Sequence, residues 1–305
     1  MSNTTPPMQY ADLHRHLDGS MRIETFRELA EQCAIDIPDD LRFYRGMGLE
    51  QALARFAVTL SVLQKPDAVC RVAREICEDA IREGVTTLEI RFAPQLHKGG
   101  PIEDILDAAI EGIDGRAGLI LCGLYGESPA MLEQLVSLAP NRPTVVGIDL
   151  AGGPMPEHQW SMLDYAPPFV RARDLGLGRT VHAGEGRNAQ EIRCAITELF
   201  AQRIGHGTTL LSDEGVVALV LDKNITIEAC VTSNMHVGAI PEIEAHPIPH
   251  WLQHGVRVCI CTDNTLLSDV DAPTEHTRVL NIPGMNQSLL AQAVVYGHQA
   301  RFQIS

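Results

Sequence analysis

The chain has 305 residues, 45% of them hydrophobic and 21% charged, a globular composition large enough for one continuous α/β domain spanning residues 1–305. Asp and Glu number 39 against 24 Lys and Arg, and this formal net charge of -15 repels a nucleic-acid backbone; the three lysines, Lys65, Lys98 and Lys223, and the scattered arginines build no basic patch. No stretch approaches a membrane span, the opening MSNTTPPMQY lacks the character of a secretory leader, and the eight cysteines contain no C-x-x-C, so a cytoplasmic small-molecule protein with free thiols is expected.

After the proline-rich lead, a short extended run reaches Asp12-Leu13-His14, and residues 23–32 read as a helix. Residues 49–63 and 67–83 continue in helical composition, the second with Val69, Val72, Ala73, Ile76, Ala80 and Ile81 on one apolar face. TTLEIRF (86–92) switches to a strand pattern and 102–117 returns to helix. Strand-like 119–125, 144–150, 179–185, 203–207, 224–230 and 256–264 follow, separated by helical segments, among them 129–139, 189–201 and 213–223; residues 286–299 supply a last helix. Eight strands alternating with helices predict a closed (β/α)8 TIM barrel, with an open doubly wound sheet as the competing arrangement. The chain has no G-x-G-x-x-G and no G-x-x-x-x-G-K-S/T to support a nucleotide-binding version of the open sheet.

Polar residues gather at the strand ends. His14 and His16 alternate on one extended segment and so share a face. His182 ends the fifth strand and Asp263 the eighth, and in a barrel these ends converge on one mouth. Three imidazoles and a carboxylate suit Zn2+. Glu185, just past Ala183-Gly184, can stand beside such a metal without ligating it and shuttle a proton. His206, between Gly205 and Gly207, can either orient the attacking hydroxide or accept its proton. His16, Asp18, Gly152 and Asn264 are the positions expected to meet a polar organic substrate. None of the three lysines ends a strand, so a modified lysine bridging two metals has no source and one metal per chain is expected.

Together DLHRHLDGS (12–20), GIDLAGG (147–153), VHAGE (181–185), RIGHG (203–207), EACVTSN (228–234) and CTDN (261–264) resemble the adenosine deaminase family of metal-dependent hydrolases, in the family's order. The resemblance implies a barrel with one zinc on His14, His16, His182 and Asp263, a proton-shuttling Glu185 and a hydroxide-orienting His206. It also implies a purine held through the backbone of Gly152 and a ribose 5′-hydroxyl on Asp18. Two positions depart from the family. Asn264 replaces the second Asp of a T-D-D-P, and can still donate to the purine N7; Gly153-Pro154 replaces an Asp-Glu pair. The expected ligand is a 6-aminopurine nucleoside, adenosine first. 6-Aminodeoxyfutalosine, free adenine and a catalytically silent purine binder are the alternatives, and nothing in the sequence sets an oligomeric state.

Overall fold

The computed structural model describes residues 9–39 and 41–303; the proline-rich lead, residues 1–8, lies outside them. The strands are β1 (Tyr10–His16), β2 (Val85–Phe92), β3 (Gly118–Leu124), β4 (Val145–Ala151), β5 (Gly178–Ala183), β6 (Arg203–His206), β7 (Thr226–Ala229) and β8 (Arg257–Ile260). They pair in parallel, in sequence order, in one eight-stranded sheet. Helix α1 (Ile23–Cys33), α2 (Leu49–Val62) and α3 (Pro66–Glu83) join β1 to β2; α4 (Ile102–Ile113), α5 (Pro129–Leu138), α6 (Ala166–Asp174), α7 (Gln190–Thr197) and α8 (Glu214–Asp222) each follow the next strand in turn. The short α9 (Val231–His236) and α10 (Ile248–Gln253) follow β7, and α11 (Ala272–Leu280) and α12 (Gln287–Gln299) follow β8. The fold is the TIM barrel expected from the sequence.

The parallel strands are covered on both faces, which is why they read as near-continuous apolar runs: every residue of β4 and of β5 is buried. The helices pack through one stripe. In α3, Val69, Val72, Ala73, Ile76 and Ala80 face inward, and the helix stops where Gly84 takes a left-handed φ of 82°. Two helices stop short of their expected ends for the same reason. α4 yields at Asp114 and Gly115, with φ of 48° and 70°, and Phe200, with φ of 54°, follows the end of α7.

Closure between β8 and β1 is made by a few specific bonds instead of a long ladder. His16 N donates to Asp263 O and Asp263 N donates to His14 O, each over 2.8 Å. Below them a side chain takes over: the Asp12 carboxylate accepts from Thr262 Oγ1 at 2.6 Å and from Arg15 Nε at 2.9 Å, and Arg15 pairs with Glu83 at 2.7 Å. Asp12, Arg15 and Thr262 are each only 1% exposed, so these polar groups have no water to fall back on. Gly297 brings α12 against this seam, since a Cβ there would lie 2.9 Å from both Ala11 Cβ and Cys259 Sγ.

Asp12→Ala removes the acceptor that ties β1 to β8 and leaves the Arg15 guanidinium half-compensated in the interior. A stability loss of about 3–5 kcal/mol is expected, read from urea unfolding. A loss below about 1 kcal/mol, the worth of an exposed pair, would show that the seam does not depend on this carboxylate.

Candidate metal centre and active site

The C-terminal ends of β1 and β5 and the segment just past β8 carry His14, His16, His182 and Asp263 to one point. His16 Nε2 lies 3.2 Å from His14 Nε2 and 3.3 Å from His182 Nε2, while Asp263 Oδ1 lies 3.4 Å from His16 Nε2 and 3.6 Å from His14 Nε2. Four donors around a tetrahedral ion with Zn–N bonds of about 2.0–2.1 Å stand about 3.3–3.4 Å apart, so the donor set fits zinc. The hydrogen bonds at the back of the rings reinforce this. His14 Nδ1 meets Glu228 Oε2 at 2.7 Å and His182 Nδ1 meets Asp149 Oδ2 at 3.0 Å. A carboxylate only accepts, so each Nδ1 carries a proton, and in the neutral ring Nε2 is left to turn a bare lone pair toward its neighbours. Lone pairs converging beside a carboxylate repel until a cation sits among them. Burial keeps the His14 and His16 imidazoles well below their usual range, hence in the neutral form that ligates.

The supporting carboxylates belong to a buried network that sequence reasoning did not assign. Arg91, on β2, pairs with Asp149 and with Glu228, both at 2.8 Å, and donates to Leu13 O at 2.6 Å. Glu228 Oε1 also accepts from Thr180 at 3.0 Å and meets Arg203 Nε at 2.7 Å; Arg203 reaches down to Glu89 at 2.5 Å and stacks over the Phe302 ring at 3.6 Å. Burial raises the Asp149 carboxyl, but His182 and Arg91 outweigh it and hold the group below the usual carboxylate range. The signal was present as charged residues inside otherwise apolar strands: Glu89 and Arg91 in LEIRF, Asp149 in GIDL, Glu228 in TIEA.

A cavity of about 280 Å³ opens above the cluster. His16, Asp18, Gly152, His182, Glu185, His206, Asp263 and Asn264 all line it, so every expected metal, catalytic and substrate position except the deeper His14 reaches this space. Asp263 and His206 hold left-handed φ values of 63° and 68°, a strain of about 1–3 kcal/mol each that surrounding structure must sustain. Burial pushes the Glu185 carboxyl upward, and burial and His182 push His206 down to about 3, so a carboxyl with raised affinity for protons and a neutral imidazole face the cavity together. Asp18 is raised to about 6 by burial, and its Oδ1 has no partner in the protein. Gly19 makes room for Asn264, whose Oδ1 would lie 2.2 Å from a Cβ there. Gly153 stands outside the cavity, and its missing side chain gives space to Arg187 Nη1, 2.7 Å from where a Cβ would lie. The sequence did not reveal the cover: Leu49, Ala52, Leu53, Phe56, Ala57 and Leu60, the inner stripe of α2, form an apolar wall across the mouth.

If the three imidazoles hold a metal, Glu228 sets the orientation and basicity of His14. Glu228→Gln is expected to weaken zinc binding about 10–100-fold, measured by competition with a chromophoric chelator. Unchanged affinity in a folded variant would dissociate the network from the metal.

The chain is similar to known proteins over nearly its whole length. The family model described as Adenosine deaminase matches residues 9–303. An adenosine deaminase of Escherichia coli O7:K1 is 33% identical over 323 residues, covering 99% of this chain and 95% of that protein. Among solved structures, an adenine deaminase from Arthrobacter aurescens superposes with a TM-score of 0.85 at 24% identity, covering 96% of this chain and 93% of its own. An amidohydrolase from Burkholderia ambifaria, with bound Zn, also has a TM-score of 0.85, at 22% identity and with 97% and 86% covered. The chain therefore belongs to the adenosine deaminase family.

Proposed function

We propose that this protein is a zinc-dependent aminohydrolase that converts adenosine or deoxyadenosine to the 6-oxopurine nucleoside and ammonia, with one zinc on His14, His16, His182 and Asp263. The observation that carries the reading is the convergence of those four donors on the cavity that also presents Glu185 and His206. When bound, zinc acidifies a coordinated water toward neutral pH and so makes available a nucleophile that bulk water cannot offer.

The chain's own groups account for the remaining chemistry. Glu185, whose affinity for protons burial increases, gives its proton to the ring N1 and makes C6 electrophilic. Water adds at C6 while His206 and Asp263 fix its direction. One proton of the water passes to the amino group, the C6–N bond breaks and ammonia leaves; N1 keeps the proton it received, and the oxygen's second proton returns to Glu185 as C6=O forms. Gly152, with φ of 81° and no side chain, lets the backbone approach the purine, and the Asn264 amide donates to N7. Asp18, with an unpartnered buried oxygen, accepts from the ribose 5′-hydroxyl. Asp18, Glu185 and Asp263 line the cavity without an Arg or Lys among the lining residues, which favours a neutral nucleoside over a 5′-phosphate.

One observation favours a second substrate. The wall from Leu49 to Leu60 extends apolar surface across the mouth, which suits a larger group at the 5′ position, as in 6-aminodeoxyfutalosine. An adenine-specific site would have no use for Asp18. Ammonia release from adenosine, 6-aminodeoxyfutalosine and adenine, compared in parallel on zinc-loaded protein, ranks the three; turnover of none of them would refute the substrate class. Glu185→Gln should retain zinc and lose about 10²–10⁴-fold in kcat. Near-normal turnover in that variant would refute the role given to Glu185.

A further inference from the structure

Asn234, on α9, is fully buried between the two groups that face the cavity as acid and imidazole. Its Nδ2 lies 3.3 Å from Glu185 Oε1 and 2.9 Å from His206 Nδ1, and its Oδ1 lies 3.3 Å from His246 Nε2. The other side of His246 is committed as well: Ile248 N donates to its Nδ1 over 3.2 Å, and Trp251 packs edge-on against the ring with centroids 5.1 Å apart.

These contacts fix the protons one after another. A backbone N–H can only donate, so a neutral His246 accepts at Nδ1 and carries its proton on Nε2. Burial keeps His246 neutral, with its pKa pushed down to about 3. The Nε2 proton needs an acceptor, so Asn234 turns its Oδ1 toward His246 and its amino group away. The Glu185 carboxylate, when ionised, demands the same orientation, because it too can only accept. One amide hydrogen then serves Glu185 and the other points at His206 Nδ1, which must receive it as a lone pair. The His206 proton is left on Nε2, the ring nitrogen free for the cavity that His206 lines. In the competing arrangement a proton on His206 Nδ1 is shared with Glu185. That approach is 3.4 Å long, and it would set an N–H of Asn234 against an N–H of His206.

We infer that the path from Ile248 N–H through His246 and Asn234 fixes His206 as a neutral hydrogen-bond donor toward the reacting oxygen, with Asn234 and His246 as positioning residues. His206 therefore does not take the water's proton. It stabilises the negative charge that gathers on the oxygen as the bond to C6 forms, and proton transfer is left to Glu185. The tautomer follows from the hydrogen bonds alone; its catalytic use rests on the deaminase reading above.

The test is nitrogen NMR on zinc-loaded protein carrying ¹⁵N-histidine, with the His206 signals identified by their loss in His206→Gln. Nε2 is expected to be protonated and Nδ1 bare at neutral pH. Asn234→Asp replaces the amino donor by a second acceptor and should move the proton to Nδ1. Its kcat should fall by about 10²–10³, the usual cost of losing one donor to a developing oxyanion, with KM unchanged. His246→Gln, whose amide still donates to Asn234, should keep the Nε2–H tautomer and most of kcat, whereas His246→Leu should lose both. A His206 proton on Nδ1 in the unsubstituted protein overturns the inference whether or not any variant folds. So does full kcat in zinc-replete Asn234→Asp. An Nε2–H tautomer in a protein that turns over no nucleoside would uphold the hydrogen-bond path and refute only the substrate class.

Discussion

Glu228 has no solvent exposure and meets four partners from four different strands: His14 on β1, Arg91 on β2, Thr180 on β5 and Arg203 on β6. A carboxylate in that position is costly to desolvate, and only a complete set of donors offsets the cost. The barrel supplies them because side chains pointing inward from strands all round the sheet converge on its axis. Each donor is then constrained in turn. Arg91 ties Glu228 to Asp149, Asp149 orients His182, and Glu228 itself orients His14, so the two imidazoles from opposite sides of the mouth are fixed by one continuous set of charges. The site above depends on this layer for its geometry, and the layer depends on closure of the sheet for its dryness.

Much of this was legible in the sequence because barrel geometry converts position along a strand into position in space. His14, His16, His182 and Asp263 were recognisable as strand-end residues, and the structure brings their donor atoms within 3.2–3.6 Å along the measured pairs. Glu185 and His206 were legible for the same reason, each just beyond or at a strand end. The ends of α4 and α7 were not, since apolar composition continues past residues whose positive φ stops the helix. Periodicity reports which face is buried and is nearly silent on where a backbone turns.

The network around Glu228 was harder to read. A charged residue inside an apolar strand announces a buried charge, but pairing Glu89 with Arg203, or Asp149 with Arg91, requires knowing which side chains share a layer across the barrel. Asn234 was hidden differently. It lies in a segment recognisable as a motif, yet its value comes from contacts with Glu185, His206 and His246, which come from three other parts of the chain. The apolar wall was missed because the stripe on α2 looks like that of any helix packed on a core; only its placement over the mouth makes it a lining of the cavity.

That wall belongs to the excursion between β1 and α3, which adds no strand to the sheet and no residue to the charges around Glu228. On the function proposed above, the surface facing the outer part of a substrate and the groups given the reaction are written in separable stretches of sequence. Substitutions along residues 49–60 change the lining of the cavity mouth while leaving the candidate metal donors and their supports untouched. Within such an architecture, substrate range is free to diverge between relatives that inherit the same chemistry.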